Sequence, residues 1–255
     1  VSRQKPHVLS HAEEAILAKI GSFSNAAEDI FSMINDADIV FPNIKDENGD
    51  NVSLTKGRYA KFMESKDRSV RKAAFDALYE TYTKQKNTLA ATYYSSVKKD
   101  AFMADVRKYS SSLEAALDDD NIPLSVYENL ISSVHKYLPL MHRYVDIRKK
   151  ILGVDELHPY DLYAPLSESS DMKITYQQAK DIILKALSPM GEEYVNALKE
   201  GFNGGWIDVY ENSGKRGGAY SWGTYTCHPY VLLNHTDNLN SMFTIAHEMG
   251  HALHS

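Results

Sequence analysis

His247, Glu248 and His251 form the pattern H-E-x-x-H near the end of a 255-residue chain. On a helix, histidines four residues apart stand one turn above another, so both imidazoles reach one metal ion. Glu248, between them, turns toward a third, open position on that ion, where it holds a metal-bound water and takes its proton. Leu239, Phe243, Ala246, Gly250 and Leu253 recur at three- and four-residue steps, which predicts a helix with these residues on its apolar face. Asp237 is the expected N-cap. The structural alternative is a helix carrying two solvated or packed histidines.

A catalytic zinc normally takes three protein ligands and leaves one position for water. His247 and His251 are two. His254 shares their face but sits seven residues from His247, roughly 10 Å along the axis at the helical rise. The longer pattern H-E-x-x-H-x-x-G-x-x-H fails, because its glycine position holds His254. The third ligand is therefore expected from another helix, further along a longer polypeptide of which this chain is a piece.

Most of the chain before the motif reads as helix. Ser10 with Glu13 is a capping box opening a helix to about Lys19, which Gly21 ends. Residues 25–36 form a second. Around the Asn48-Gly49 turn a small hairpin is expected, with Ile39-Val40-Phe41 before it and Val52 and Leu54 after it. A short helix follows over 54–64. From Asp67 to about Tyr109 the helical rhythm runs without Gly or Pro, which predicts one very long helix, with two nearly collinear ones as the alternative, and Lys and Arg on the solvated side. Asp118-Asp119-Asp120 reads as a solvated turn, with a cation site as the alternative. Ser125 with Glu128 starts a helix to Tyr137, and Pro139 starts another that Gly153 closes. His135 and His142 read as ordinary histidines.

Residues 158–166 read as extended and aromatic. Asp161 within them is expected to cap a turn, with orientation of a site group as the alternative. Thr175 with Gln178 opens a helix to Leu187, and Ser188-Pro189 stops it and starts the next, to about Glu200. At Gly201 the composition changes. Gly204-Gly205 and Gly217-Gly218 bracket extended segments at 206–210 and 219–226. A third, 230–234, leads into the motif helix, and Glu211-Asn212-Ser213-Gly214-Lys215 reads as a hairpin loop. The expected fold is thus mostly α, with a long helix and a small antiparallel β-sheet preceding the metal-binding helix. Residues 1–200 are the helical part, and 201–255 begin a catalytic domain.

Composition sets limits. Apolar residues at 43% and charged residues at 24% are ordinary for a globular protein. Net charge is −6 with no basic block, which argues against nucleic acid. No stretch approaches the roughly 20 apolar residues of a membrane span. The single Cys227 forms no internal disulfide and fits a reducing compartment. It reads as a small buried apolar residue before a thiol ligand or nucleophile.

A strand beside a metal helix has a chemical use. Its edge holds an extended peptide through main-chain hydrogen bonds that ignore side-chain identity, next to the metal and its water. Gly217, Gly218 and Ala219 are small enough for a peptide backbone to approach, although the glycines would also serve a turn alone. His228 and His235 are candidates for binding substrate or an oxyanion, with an ordinary buried role favoured for His235.

Three blocks carry a family resemblance: Arg216-Gly217-Gly218-Ala219-Tyr220-Ser221, His228-Pro229-Tyr230-Val231-Leu232-Leu233-Asn234, and Phe243 to His251. Together they resemble oligoendopeptidase F, a branch of the thimet-oligopeptidase-like zinc peptidases. Val97-Lys98-Lys99-Asp100, Asp120-Asn121-Ile122-Pro123, His142-Arg143-Tyr144 and residues 157–165 extend the likeness over nearly the whole chain. The resemblance implies a helical enzyme with an internal channel that cleaves short unfolded peptides in the cytoplasm. It implies Zn2+ held by His247 and His251 and Glu248 as general base. It places the third ligand, a glutamate, on a later helix, and the transition-state-stabilising tyrosine and histidine beyond the motif too. Gly217, Gly218, Ala219, Tyr220 and His228 are the expected substrate-binding residues. Expected partners are short peptides and the remainder of its own polypeptide. On this reading the isolated chain is inactive. The competing readings are a non-catalytic helical peptide-binding module and a helical H-E-x-x-H zinc carboxypeptidase.

Overall fold

A computed structural model describes residues 3–166, 172–212 and 214–255. In chain order the helices and strands are α1 (His11–Ile20), α2 (Ala26–Ser32), β1 (Asn43–Lys45), β2 (Asn51–Ser53), α3 (Lys56–Met63), α4 (Arg68–Lys84), α5 (Lys86–Val106), α6 (Ser112–Asp118) and α7 (Leu124–Leu152). They continue with α8 (Tyr176–Ala186), α9 (Glu192–Asn203), β3 (Ile207–Asp208), β4 (Tyr220–Thr224), β5 (Cys227–Leu232) and α10 (Leu239–His254). No described helix is long and apolar enough to cross a membrane.

Packing divides the chain into two compact units, Val1–Ile39 with Thr81–Leu157, and Val40–Glu80 with His158–Ser255. The second unit gathers the hairpin, α3 and most of α4 with the later elements.

In the first unit, α1 begins at the expected capping box, with Ser10 and Glu13 bonded reciprocally. A π-helical turn over Met33–Asp38 follows α2. The expected single helix from 67 to 109 is instead α4 and α5, broken at Gln85 (φ −100°, ψ 7°). The Gln85 N–H bonds back to Tyr82 three residues away, and its carbonyl accepts the first bond of α5. No glycine or proline signals that change of geometry. The two helices expected on either side of Pro139 are one, α7, which runs through the proline. Its N-cap is Pro123, so Ser125 falls inside the first turn and forms no capping box. Gly153 ends it in the left-handed conformation (φ 65°), as expected. Asp118 meets Arg3 and the Tyr109 hydroxyl in the acidic turn.

In the second unit, β1 and β2 form the hairpin, with Ile44 opposite Val52; its first arm is Asn43–Lys45, beyond Pro42, and not the expected 39–41. Residues 158–166 are not extended throughout, since Pro159–Asp161 form a 3-10 turn. Asp161, 0% exposed, caps that turn by accepting the His158 N–H and is gripped by Arg68 and Arg71. Arg71 also donates to the carbonyls of Tyr160 and Ser65. Burial pushes the Asp161 carboxyl up, but the hydrogen bonds from Arg68, Arg71 and the His158 backbone outweigh it and hold it below the ordinary 3.8. Thr175 and Gln178 make the expected capping box of α8. After α8, Pro189 opens a 3-10 turn, and α9 starts beyond Gly191, whose φ of 100° suits glycine.

The sheet order is β3-β5-β4. β4 pairs antiparallel with β5, but β3 pairs with it in parallel, so the sheet is mixed. The expected 211–215 hairpin loop therefore does not join neighbours: it passes from β3 over to β4 on the far side of β5. Ser213 lies outside the described residues. The reason is burial. Val231 on β5 and Leu233 just after it are among the most buried apolar residues, which puts β5 at the centre. They pack with Ile183 of α8, Leu198 of α9 and Met242, Ile245 and Met249 of α10.

Candidate metal and peptide site

The motif helix starts one residue later than expected. Asp237 is left-handed (φ 54°), and its carbonyl accepts the Ile174 N–H at 2.9 Å. Asn238 is extended, and its side chain takes the Ser241 N–H at 2.8 Å. The buried face also differs. Met242, Ile245, Met249 and Ala252 enter the core, while Leu239 and Phe243 of the expected face are exposed. α10 carries apolar residues on two sides, and spacing alone does not rank them.

That rotation turns the histidines outward. His247 and His251 are both exposed, and their Nε2 atoms lie 3.1 Å apart with the rings at 84°. Two nitrogens on one tetrahedral zinc, each at roughly 2.0–2.1 Å, are separated by roughly 3.3 Å. The pair therefore fits a shared ion to within a few tenths of an ångström. Among the described residues, no group of three or more His, Cys, Asp and Glu gathers around such a point. Glu248 is buried and lines, with His247, an open cleft of about 640 Å³ whose other walls are Ala219, Phe243, Thr244 and Ala246.

Of the expected substrate residues, Ala219 reaches this cleft. Gly218 precedes it with φ 86°, a conformation that strains other residues, and Gly217 lies against the Lys56 stem. Tyr220 and His228 are placed differently. Ser221 Oγ is buried while Tyr220 and Trp222 on either side of it are exposed, so by alternation Tyr220 and Trp222 point to the opposite sheet face. His228 stacks on Trp206 at 5.3 Å and leans on Tyr230, which pairs with Trp222, so it shares that opposite face. The structure thus brings His247, Glu248, His251 and Ala219 together and leaves the Tyr220 and His228 side chains apart from them. Cys227, expected buried, is exposed, with Sγ 3.0 Å from Thr224 Oγ1 in the β4–β5 turn.

His235 is buried, as expected. Its Nε2 lies 3.2 Å from the Ile174 carbonyl and 3.4 Å from Asp237 Oδ1, and its ring packs edge-on against Tyr176 and Tyr210. Burial first, then the neighbouring Tyr210, pushes the Tyr176 hydroxyl up to about 12. The sequence reading missed Phe243 and Thr244 as cleft walls. Phe243 had a signal, since it precedes His247 by four residues and so shares its face. The free edge of β4 pairs with no strand among the described residues.

Residues 61–255 match the model of peptidase family M3, and residues 1–41 match that of oligopeptidase F. Oligopeptidase PepF of Bacillus subtilis is 52% identical over the whole chain, which covers 38% of that protein. Group B oligopeptidase PepB of Streptococcus agalactiae is 45% identical over 98% of the chain and 42% of its own length. The crystal structure of oligoendopeptidase-F from Enterococcus faecium superposes with a TM-score of 0.64 at 45% identity, covering 77% of this chain and 37% of that one. The chain thus spans about two fifths of the curated relatives it matches.

Proposed function

The chain belongs to peptidase family M3, and from that premise we propose that it carries the metal-binding helix and peptide-binding strand of a zinc metalloendopeptidase acting on short oligopeptides in the cytoplasm. The observation that carries the proposal is the pair of exposed Nε2 atoms 3.1 Å apart at a cleft that Glu248 and Ala219 share. Zinc bound there supplies Lewis acidity, polarising a carbonyl and acidifying water. His247 and His251 would hold it, and a glutamate from a later helix of the same polypeptide would be the third ligand. Glu248 takes the proton from the attacking water and passes it to the leaving amine. The free edge of β4, entered through Ala219, orients the substrate backbone without reading its side chains. The names of the relatives support the substrate class.

The test uses the full-length polypeptide. Glu248→Gln keeps its zinc and loses about 10²–10⁴ in kcat, because a base is removed and no ligand is. His251→Ala loses the metal itself. Metal analysis and peptide turnover with and without chelator read both. Turnover by Glu248→Gln at the wild-type rate, or wild-type turnover that chelator leaves untouched, would sink the proposal. A substrate blocked at its C-terminus separates endopeptidase from carboxypeptidase action.

A further inference from the structure

The segment that leads into β4 is held by side chains far from it in sequence. The Asn234 side-chain amide donates to the Arg216 carbonyl at 3.1 Å and to the Gly218 carbonyl at 2.8 Å. This orientation is forced, since the flipped amide would set its oxygen against two carbonyl oxygens. It leaves Asn234 Oδ1 buried without a hydrogen-bond partner among the described residues. The other limb of the loop is tied as well. The Lys215 ammonium donates to the Asp208 and Tyr210 carbonyls at 3.1 and 2.7 Å and meets the Asp208 carboxylate at 3.1 Å. Glu211 accepts from the Thr55 hydroxyl and the Gly57 N–H at the start of α3.

The Asn234 bonds flank the Gly217-Gly218 turn, where Gly218 turns at φ 86° and Ala219 enters the cleft beside Glu248, while the Lys215 and Glu211 ties hold the β3 side of the loop. We propose that Asn234 is a positioning residue for peptide binding. By fixing two carbonyls across the Gly217-Gly218 turn, it sets the backbone of Ala219 and the free edge of β4 before substrate arrives. The ordering cost of the edge is then met on folding, and peptide binds to a preformed strand. This inference rests on the peptidase reading above. Among the described residues, Asn234 bonds to the loop backbone and not to the histidines or Glu248.

The experiment compares full-length, zinc-loaded wild type with Asn234→Ala and Lys215→Met, the second releasing the other limb of the loop. Two lost hydrogen bonds are expected to raise KM for an unmodified oligopeptide roughly tenfold in Asn234→Ala. Its kcat should stay within about threefold, and zinc content should be unchanged. Lys215→Met should move KM in the same direction and serves as the test if Asn234→Ala does not fold. Amide exchange over residues 217–221 should quicken in each folded variant. A purely structural role would lower the melting temperature and leave KM where it was. A folded variant with wild-type KM overturns the proposal, as does a fall in kcat with KM unmoved. If the wild type shows no chelator-sensitive cleavage, the peptidase reading fails and takes this one with it. If the wild type cleaves and the variants match it, the positioning role fails alone.

Discussion

The two compact units bury apolar surface very differently. Among the described residues, the unit of 1–39 and 81–157 buries Leu17 and Ala104, and the other unit holds every remaining buried apolar residue. The contrast is sharpest between α7 and α10. Both have the helical apolar rhythm. On α7, Leu130, Val134, Leu138, Met141 and Ile147 stay exposed, whereas Ile245 and Met249 of α10 are sealed among α8, α9 and β5. Periodicity tells which residues share a face, but a face is buried only when another surface meets it. The His247–His251 pair stands on the helix with the deeper seat. That is where a fixed Nε2 separation can be maintained, because packing locks the helix that carries both rings.

The largest expected effect lies in the buried ion cluster of the second unit. Asp161→Asn leaves Arg71, itself buried, without its carboxylate and should cost about 3–5 kcal/mol at neutral pH. The Asp161 pKa is depressed in the fold, so its contribution is full above the ordinary carboxylate value of 3.8 and drains away as pH falls toward the lowered one. The gap between wild type and variant in urea titrations should therefore close below pH 3.8. A gap of the same size at pH 7 and in strong acid would show that charge is not its source. The counterpart in the first unit, Arg107 with Glu14, is partly exposed on both sides, and Glu14→Gln should cost less than Asp161→Asn.

A second pair tests packing directly. Ile245→Ala removes a side chain that is 0% exposed and should destabilise by about 2–5 kcal/mol. Leu130→Ala on α7, where the residue is 61% exposed, should stay within about 0.5 kcal/mol. Equal losses would mean that the α7 face is covered in solution. Gly201→Ala falls between them. A Cβ there would stand 2.6 Å from Met249 Cε and 2.9 Å from the Trp206 ring, so the variant should lose about 1–3 kcal/mol despite a better helix former.

What could be read from residue order follows from range. The histidine pair was legible because helix geometry alone sets residues four apart on one face. The capping boxes at Ser10 and Thr175 were legible for the same local reason. The rotation of α10 was not, since Phe243 and Met242 are comparably apolar and the choice between them is made by α8, α9 and β5. The parallel pairing of β3 was hidden as well, because the central place of β5 depends on what packs against it. The ties of Asn234 to Arg216 and Gly218 span 18 and 16 residues, beyond any periodic signal. Gly217-Gly218 marked the turn without saying what holds it.

The smallest prediction concerns two look-alike motifs, Ser10 with Glu13 and Ser125 with Glu128. In the first, the Ser10 hydroxyl accepts the Glu13 N–H while the Glu13 carboxylate takes the Ser10 N–H. In the second, α7 starts at Leu124 behind Pro123, and Ser125 is already helical. Ser10→Ala should cost about 1 kcal/mol and speed amide exchange in the first turn of α1. Ser125→Ala should be neutral or slightly stabilising, because alanine is the better residue inside a helix. A matching loss at Ser125 would place the start of α7 after that residue, restoring the cap that the spacing suggested and shortening the helix by its first two residues.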